Sequence, residues 1–171
     1  MKHFDFSRKR LLTGFILGLV LIAVKTGYDH AYPNRKLLVG KQVMSCLPWD
    51  FFYWDSDRPV GEIKRYDLLI FPARKMQPVI KDGEKIVKMA AGLPGDKVSI
   101  RDGIVSINGL VIGDMAYGAK SFRKPMNYWD KEYVLQPNEI FVFGTEYNSY
   151  DSRYWGAYPM DLVDGHVSVL F

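Results

Sequence analysis

The sequence predicts a mostly β domain, a partly closed antiparallel barrel or sandwich, behind one N-terminal transmembrane helix. Two observations lead to this expectation. Residues 11–24 form an apolar run without a charge, and the rest of the chain shows short strand-like runs separated by Gly, Pro, Asn and Asp. No other long stretch has a helical period. With 171 residues, the chain is long enough for one domain with a hydrophobic core.

The apolar run is flanked by positive charge. Residues 1–26 carry five basic side chains and one acidic one, whereas residues 27–171 carry 18 of each. Basic residues beside an apolar segment stay in the cytoplasm. A bilayer-spanning helix needs about 20 residues, so a cleaved signal peptide is the alternative. Because no small-x-small site precedes Lys25, and Arg10 and Lys25 can snorkel, we expect a cytoplasmic tail and retained anchor at residues 1–27. Residues 28–171 then form one extracytoplasmic domain.

The strands are predicted from local pattern. Alternating residues 97–101 and 104–107 surround Asp102-Gly103, which predicts a type I′ hairpin, and Asn108-Gly109 turns the chain again. Residues 28–36 read as a linker and residues 113–132 as an irregular loop. The further strands are expected at residues 63–71, 84–91, 110–112, 139–143 and 167–171.

Composition argues against several functions. The positive charge lies beside the apolar run and not on the folded domain, so we expect no nucleic-acid partner. Cys46 is the only cysteine, and His3, His30 and His166 are scattered along the chain. This pattern favours neither an internal disulfide, nor a metal site, nor a Ser-His-Asp triad.

Three segments carry the chemistry: residues 43–48 (VMSCLP), 88–96 (KMAAGLPGD) and 148–156 (NSYDSRYWG). In this order, after an N-terminal apolar run, they resemble the signal peptidase I family, peptidase S26, over roughly residues 37–171. The resemblance implies the signal peptidase type of β fold, a serine endopeptidase with a Ser-Lys dyad, and no cofactor. It also implies a single-pass protein of the bacterial cytoplasmic membrane with its catalytic domain on the periplasmic side. The implied partners are the lipid bilayer and a membrane-tethered precursor protein.

The resemblance makes Ser45 the nucleophile and Lys88 the general base. A serine hydroxyl needs a base that removes its proton, and a lysine can act so only when neutral, which requires burial. Period-two alternation places Ile86, Lys88 and Ala90 on one apolar face of the predicted strand. Lys85, on the opposite face, is the weaker candidate. From spacing alone, Lys88 would be interpreted as an exposed strand lysine and Ser45 as a serine without a catalytic role.

The resemblance extends to the third segment. It makes Ser149 a hydrogen-bond partner that orients the lysine. Asp151 and Arg153, a carboxylate and a guanidinium two positions apart, can clamp a loop near the site; a solvated charge pair is their alternative. Some relatives supply a second oxyanion donor from a hydroxyl two residues before the nucleophile. Val43 stands there in this chain, so the second donor is open.

Ser45-Cys46-Leu47-Pro48 resembles the conjugative-transfer (TraF-type) branch of the family, which matures pilins, in some members by cyclisation. Cys46 is an alternative nucleophile, disfavoured because neighbours on an extended segment point opposite ways. The aromatic residues at positions 49–54 suit either the core or a surface that dips into the membrane interface.

Three rival functions stay open. One is a general signal peptidase I that removes signal peptides. A second is a self-cleaving repressor with a Ser-Lys dyad, although the N-terminal region is too short and apolar for a helix-turn-helix. The third is a catalytically silent assembly subunit of a conjugation apparatus, which would need no dyad.

Overall fold

The computed structural model describes residues 8–40 and 43–170. It confirms the predicted fold: one N-terminal helix is followed by antiparallel sheets. The helices are α1 Arg8–Ala31, α2 Ala116–Ser121 and α3 Ser152–Trp155, with 3₁₀ turns at Met126–Trp129 and Met160–Leu162. The strands are β1 Arg35–Val39, β2 Phe51–Asp55, β3 Leu68–Pro72, β4 Lys85–Gly92, β5 Lys97–Arg101, β6 Ile104–Ile107, β7 Leu110–Asp114, β8 Lys131–Val134, β9 Glu139–Phe143, β10 Tyr158–Pro159 and β11 Gly165–Val169.

Helix α1 is longer than the apolar run that predicts it. Its segment Arg10–Ala31 is long and apolar enough to cross a membrane, and none of it is buried against the rest of the protein. The expected cytoplasmic tail at residues 1–7 lies outside the described residues. The expected linker at residues 28–36 shrinks to residues 32–34, because α1 continues to Ala31 and β1 begins at Arg35.

A seven-stranded sheet carries most of the domain, in the order β1-β2-β11-β3-β4-β9-β10. Strand β4 lies in its interior, paired with β3 along residues 68–72 and with β9 along residues 141–143. The register of the β4–β9 pair shifts between Ala90 and Gly92. A bulge of this kind bends a strand and increases its twist.

A second, four-stranded sheet has the order β7-β6-β5-β8. Its two tight turns have the predicted chemistry. Asp102 and Gly103 have φ of 49° and 73°, and Asn108 and Gly109 have φ of 51° and 81°. Two consecutive positive φ values define the type I′ turn, whose twist matches that of the flanking strands.

Three apolar clusters fill the space around the sheets. The aromatic run after the first segment belongs mainly to this core: it forms β2, in which Phe52 and Trp54 are buried. Trp49, just before it, is exposed. Several bounds differ from expectation. Residues 63–67 lie before β3, with a turn at residues 65–66, and residues 113–132 contain α2 and a 3₁₀ turn. Phe171, placed in the last strand by the sequence, lies outside the described residues.

Candidate active site

Lys88 lies in the middle of β4 and is completely buried, with a relative exposure of 0%. Its Nζ donates a hydrogen bond to the carbonyl oxygen of Ser45 over 2.9 Å and lies 3.5 Å from the carbonyl oxygen of Met44. The neighbours Ile86 and Ala90 are also buried, as the predicted apolar face requires. Lys85 behaves differently, because it is 39% exposed and pairs with Asp164 over 2.7 Å.

Burial lowers the pKa of Lys88 below its ordinary value. The cause is desolvation, which disfavours the ammonium form. Three nearby groups modify this effect. The thiol of Cys46 and the carboxylate of Asp151 raise the pKa of Lys88, and the charge of Arg153 lowers it. Desolvation dominates, so the site favours a neutral amine.

The segment that carries Ser45 runs alongside β4. Met44 forms a parallel bridge with Ile86. The N–H of Met44 donates to the carbonyl of Lys85 over 3.2 Å, and the N–H of Val87 donates to the carbonyl of Met44 over 3.3 Å. This pairing brings Ser45, which is 7% exposed, beside Lys88. Ser45 and Lys88 are 43 positions apart in the sequence, and this pairing therefore makes them neighbours in the fold.

Cys46 departs from the extended geometry that the sequence suggests. Its φ is 48°, in the left-handed region. A side-chain-bearing residue there costs on the order of 1–3 kcal/mol and persists only where the surroundings fix it. The expectation that Ser45 and Cys46 point in opposite directions, which requires an extended segment, is therefore wrong here. The thiol of Cys46 also hydrogen-bonds with the amine of Lys88 and raises its pKa, so the side chain of Cys46 belongs to the surroundings of Lys88.

Asp151 organises the third segment. Its carboxylate accepts a hydrogen bond from the hydroxyl of Ser149 over 2.7 Å and from the N–H of Gly144 over 2.9 Å. Arg153 binds it in a fork, with Nε at 2.8 Å from Oδ1 and Nη2 at 2.9 Å from Oδ2. Asp151 also caps α3 through the N–H of Arg153. The side chains of the pair are 0% and 5% exposed, so they do not form a solvated surface pair.

Ser149 lies within this network. Its hydroxyl proton goes to Asp151, so the expected contact of Ser149 with Lys88 stays a prediction. The loop that carries Ser149 nevertheless touches the segment that carries Ser45, because the N–H of Glu146 donates to the carbonyl of Cys46 over 3.1 Å. A Cβ at Gly144 would meet that same carbonyl oxygen at 2.9 Å and would overlap the Ser149 hydroxyl. Gly144 is thus required for the close approach, a role that sequence reasoning missed.

The turn after β4 has its own anchor, which the sequence analysis also missed. Arg65 donates to both oxygens of Asp96, over 3.0 and 2.8 Å. Burial tends to raise the pKa of Asp96, but hydrogen bonds from the Leu93 N–H, Asn108 and Arg65 outweigh it and hold that pKa below its usual value. The turn that follows Lys88 is thereby fixed to the second sheet. Arg65 lies 31 positions before Asp96, so no local signal in the sequence links the two.

Two grooves lie near the segments that carry Ser45 and Lys88, although neither residue lines them. One, of 760 Å³, is lined by Val43 and Met44 together with Trp54 and Ile70. The other, of 480 Å³, is lined by Met89, the residue after Lys88, and by Phe143 and Thr145. Val43 contributes an apolar, buried side chain to the first groove and has no hydroxyl to donate.

Comparison with known proteins points to one family. A model of the family described as "Signal peptidase, peptidase S26" matches residues 11–171. A signal peptidase I from Leptolyngbya laminosa is 28% identical over 113 residues, which is 63% of this chain and 52% of that protein. One from Bacillus caldolyticus is 26% identical over 118 residues, covering 63% of this chain and 61% of that protein. A probable signal peptidase I-2 from Synechocystis is 32% identical over 89 residues, covering 52% and 38%.

The chain spans about half the length of the curated relatives that it matches. A crystal structure of a signal peptidase I from Enterococcus faecalis V583 is 26% identical, covering 66% of this chain and 100% of that one, with a TM-score of 0.41. The fold described above rests on the strand pairings of this chain itself.

Proposed function

Because the chain belongs to the signal peptidase family, peptidase S26, we propose that it is a serine endopeptidase with Ser45 as nucleophile and Lys88 as general base. One observation carries this proposal. The only ionisable side chain that bonds to the Ser45 residue in the described part of the chain is Lys88, at 2.9 Å from its carbonyl oxygen and with no exposed surface. A fully buried amine with a lowered pKa is the form of lysine that can accept a proton.

The reaction follows from these two groups. Neutral Lys88 takes the proton of the Ser45 hydroxyl as the oxygen attacks the scissile carbonyl. The C–N bond then breaks, the Lys88 ammonium returns the proton to the leaving amine, and an ester to Ser45 remains. Water attacks this ester with Lys88 again as base, which releases the new carboxyl end and restores the hydroxyl. Each step conserves protons and uses no cofactor.

The developing oxyanion needs preorganised donors. We assign the first to the backbone N–H of Ser45. Val43, buried and apolar, leaves the second position without a side-chain hydroxyl, so a backbone group or a water molecule takes that role. Ser149, Asp151 and Arg153 act as supporting residues. They hold the loop that contacts the Cys46 carbonyl and set the charge around Lys88.

The substrate is a membrane-tethered precursor at the outer face of the bacterial cytoplasmic membrane, cut after a small residue. Helix α1, long and apolar enough to span a bilayer, supports single-pass anchoring. The positive flank of the apolar run supports a cytoplasmic N-terminus and an extracytoplasmic domain. The two grooves lined by Met44 and by Met89, the chain neighbours of Ser45 and Lys88, support binding of an extended segment near the dyad.

The sequence Ser45-Cys46-Leu47-Pro48 supports a narrower assignment, to maturation of a conjugative pilin. In this version the acyl-enzyme passes either to water or to the amino terminus of the pilin itself, which gives a linear or a cyclic product. The mass of the pilin is measured with and without this chain, which shows whether the pilin is cleaved. Among cleaved products, the cyclic one is lighter than the linear one by one water molecule. A pilin of unchanged mass contradicts the narrower assignment and leaves general signal-peptide removal.

The dyad is tested with Ser45→Ala and Lys88→Ala in the full chain, incubated with a precursor and followed by mass spectrometry. Both variants should lose cleavage. Ser168→Ala and Lys81→Ala, at exposed positions of the same domain, should keep it. Labelling with a serine-reactive acylating inhibitor, followed by peptide mapping, should place the adduct on Ser45. Undiminished cleavage by either dyad variant would contradict the proposal. If the unmodified chain shows neither labelling nor cleavage, a catalytically silent assembly subunit is favoured instead.

A further inference from the structure

A groove of 760 Å³ lies where α1 meets the edge of the seven-stranded sheet. We call it the junction groove. Its helix side includes Leu21 and Val24, and its sheet side includes Leu37 on β1 and Leu170 after β11. Only residues 32–34 connect α1 to β1, so the end of the helix cannot move far from the sheet edge. The groove therefore lies at the junction between the helix and the domain.

The lining of the junction groove is layered along α1. Leu21 and Val24 are the last part of the apolar run, and both are exposed. Tyr28 and Tyr32 come one and two turns later, with ring centroids 5.1 Å apart. Tyrosine at this depth is typical of the membrane–water interface. The groove thus passes from hydrocarbon-facing leucine and valine to phenolic side chains at headgroup level.

Cations lie at the headgroup end of the groove. Lys25, Arg35 and Lys36 line it, against one carboxylate, that of Asp29. Lys25 pairs with Asp29, but both side chains are more than half exposed. Arg35 lies 3.6 Å from an oxygen of Asp55, outside the groove, and is itself 49% exposed. An exposed pair of this kind holds its cation weakly. The groove keeps an excess of positive charge that is accessible from the bilayer side.

The groove therefore has three layers in sequence: an apolar surface, interfacial tyrosines and an excess of cations. A phospholipid has matching parts in the same order, from its acyl chains through the interface to its charged headgroup. We propose that the junction groove binds one anionic phospholipid, with its phosphate at Lys25 and Arg35 and an acyl chain along Leu21 and Val24. The bound lipid fixes the depth of the catalytic domain at the membrane surface. This inference rests on the membrane placement of α1 in the proposed function, and it does not depend on the dyad.

The experiment uses the full chain reconstituted in bilayers of phosphatidylcholine with a minority of phosphatidylglycerol. Native mass spectrometry then counts the lipids that stay on the protein. The unmodified chain should retain phosphatidylglycerol in preference to phosphatidylcholine. Each cation removed, in Lys25→Gln and Arg35→Gln, should reduce that preference roughly fivefold, as about 1 kcal/mol per basic residue at an anionic surface implies. Asp29→Asn should increase it.

Matched controls separate a site from general charge attraction. The double variant Lys120→Gln/Arg123→Gln removes two exposed cations that do not line the groove, and should keep the preference. Arg35→Lys, which retains the charge, should keep it as well, and Lys25→Gln alone tests the site if Arg35→Gln fails to fold. Equal retention of both lipids by the unmodified chain, or equal losses in groove and control variants, overturns the proposal. Ser45→Ala should lose cleavage but bind the lipid normally, so failure of the dyad and failure of the lipid site are distinguishable.

Discussion

The hydroxyl of Ser149 donates a hydrogen bond to Oδ2 of Asp151 over 2.7 Å, deep inside the domain. The same carboxylate binds Arg153 in a fork and accepts the N–H of Gly144. One carboxylate thus ties the end of β9 to the start of α3 and closes the loop between them. Because this loop also contacts the Cys46 carbonyl through Glu146, its integrity and the geometry of the candidate dyad are coupled.

Asp151→Asn should destabilise the protein by about 3–5 kcal/mol, because it leaves the buried guanidinium of Arg153 without its anion. Chemical denaturation of the full chain in detergent measures this loss. Glu132→Gln, which breaks the exposed pair with Lys97, should leave the denaturation midpoint unchanged. Equal effects of the two substitutions would mean that the buried pair contributes no more than a surface one.

The pH dependence of cleavage should follow the protonation of Lys88. Since burial lowers the pKa of Lys88, activity should rise with pH through an inflection well below the usual lysine value of about 10.4. Arg153→Gln removes a charge that lowers this pKa and leaves Asp151, which raises it. The inflection should therefore move to higher pH, and activity lost at neutral pH should return on raising the pH.

Arg153→Lys is the control for this shift. It keeps the positive charge but loses the fork to Asp151. Its inflection should stay near that of the unmodified chain, even if its stability falls. An inflection that is identical in Arg153→Gln and the unmodified chain would show that Lys88 does not respond to this charge, or that another group controls the rate.

The pattern of neighbouring residues predicted many of the strands and turns of this fold. Contacts between residues far apart in the sequence could not be predicted in this way. The hairpins at Asp102-Gly103 and Asn108-Gly109 and the strand Glu139–Phe143 follow from residues next to one another. Strand β1, which overlaps the expected linker only at Arg35 and Lys36, was not predicted because its pattern is too short to read. The contacts of Arg65 with Asp96 and of Glu146 with Cys46 join distant residues. The left-handed conformation of Cys46 has no signal in its residue type.

Lys88→Met should stabilise the fold by about 0.5–2 kcal/mol at neutral pH while abolishing cleavage, a trade between stability and function. The sign follows from linkage. Because the pKa of Lys88 is lowered in the folded state, the unfolded chain binds a proton that the folded chain does not. The loss of folding stability caused by burying Lys88 is greatest below the lowered pKa of Lys88. It disappears as pH rises past the usual lysine pKa of about 10.4.

Denaturation curves at several pH values check this expectation. The advantage of Lys88→Met over the unmodified chain should shrink toward high pH. Lys85→Met, on the same strand but partly exposed and paired with Asp164, should give no such gain. A loss of stability in Lys88→Met at every pH would mean that the hydrogen bond to the Ser45 carbonyl outweighs the cost of burying the amine.

Cys46→Ala should keep cleavage, because the proposed nucleophile is Ser45, but it should change the pH profile. The thiol raises the pKa of Lys88, so its removal should move the inflection of the pH–rate curve to lower pH. Rates measured over a pH series, with Ser45→Ala in parallel, decide the roles of the two side chains. Abolished cleavage in Cys46→Ala with retained cleavage in Ser45→Ala would make Cys46 the nucleophile.

Gly144→Ala should lower both stability and cleavage, although it adds only one methyl group. The new Cβ would overlap the Ser149 hydroxyl and approach the Cys46 carbonyl oxygen at 2.9 Å, so the loop and the nucleophile segment must separate. Overpacking of this kind costs about 1–3 kcal/mol, and the displacement would reach Ser45 through its neighbour Cys46. Gly40→Ala is the matched control, since its Cβ would lie at ordinary contact distance, 3.4 Å from Asp50 Cα. Cleavage assays and denaturation midpoints should show losses in Gly144→Ala alone, whereas full activity in Gly144→Ala would show that the dyad is positioned independently of the Ser149 loop.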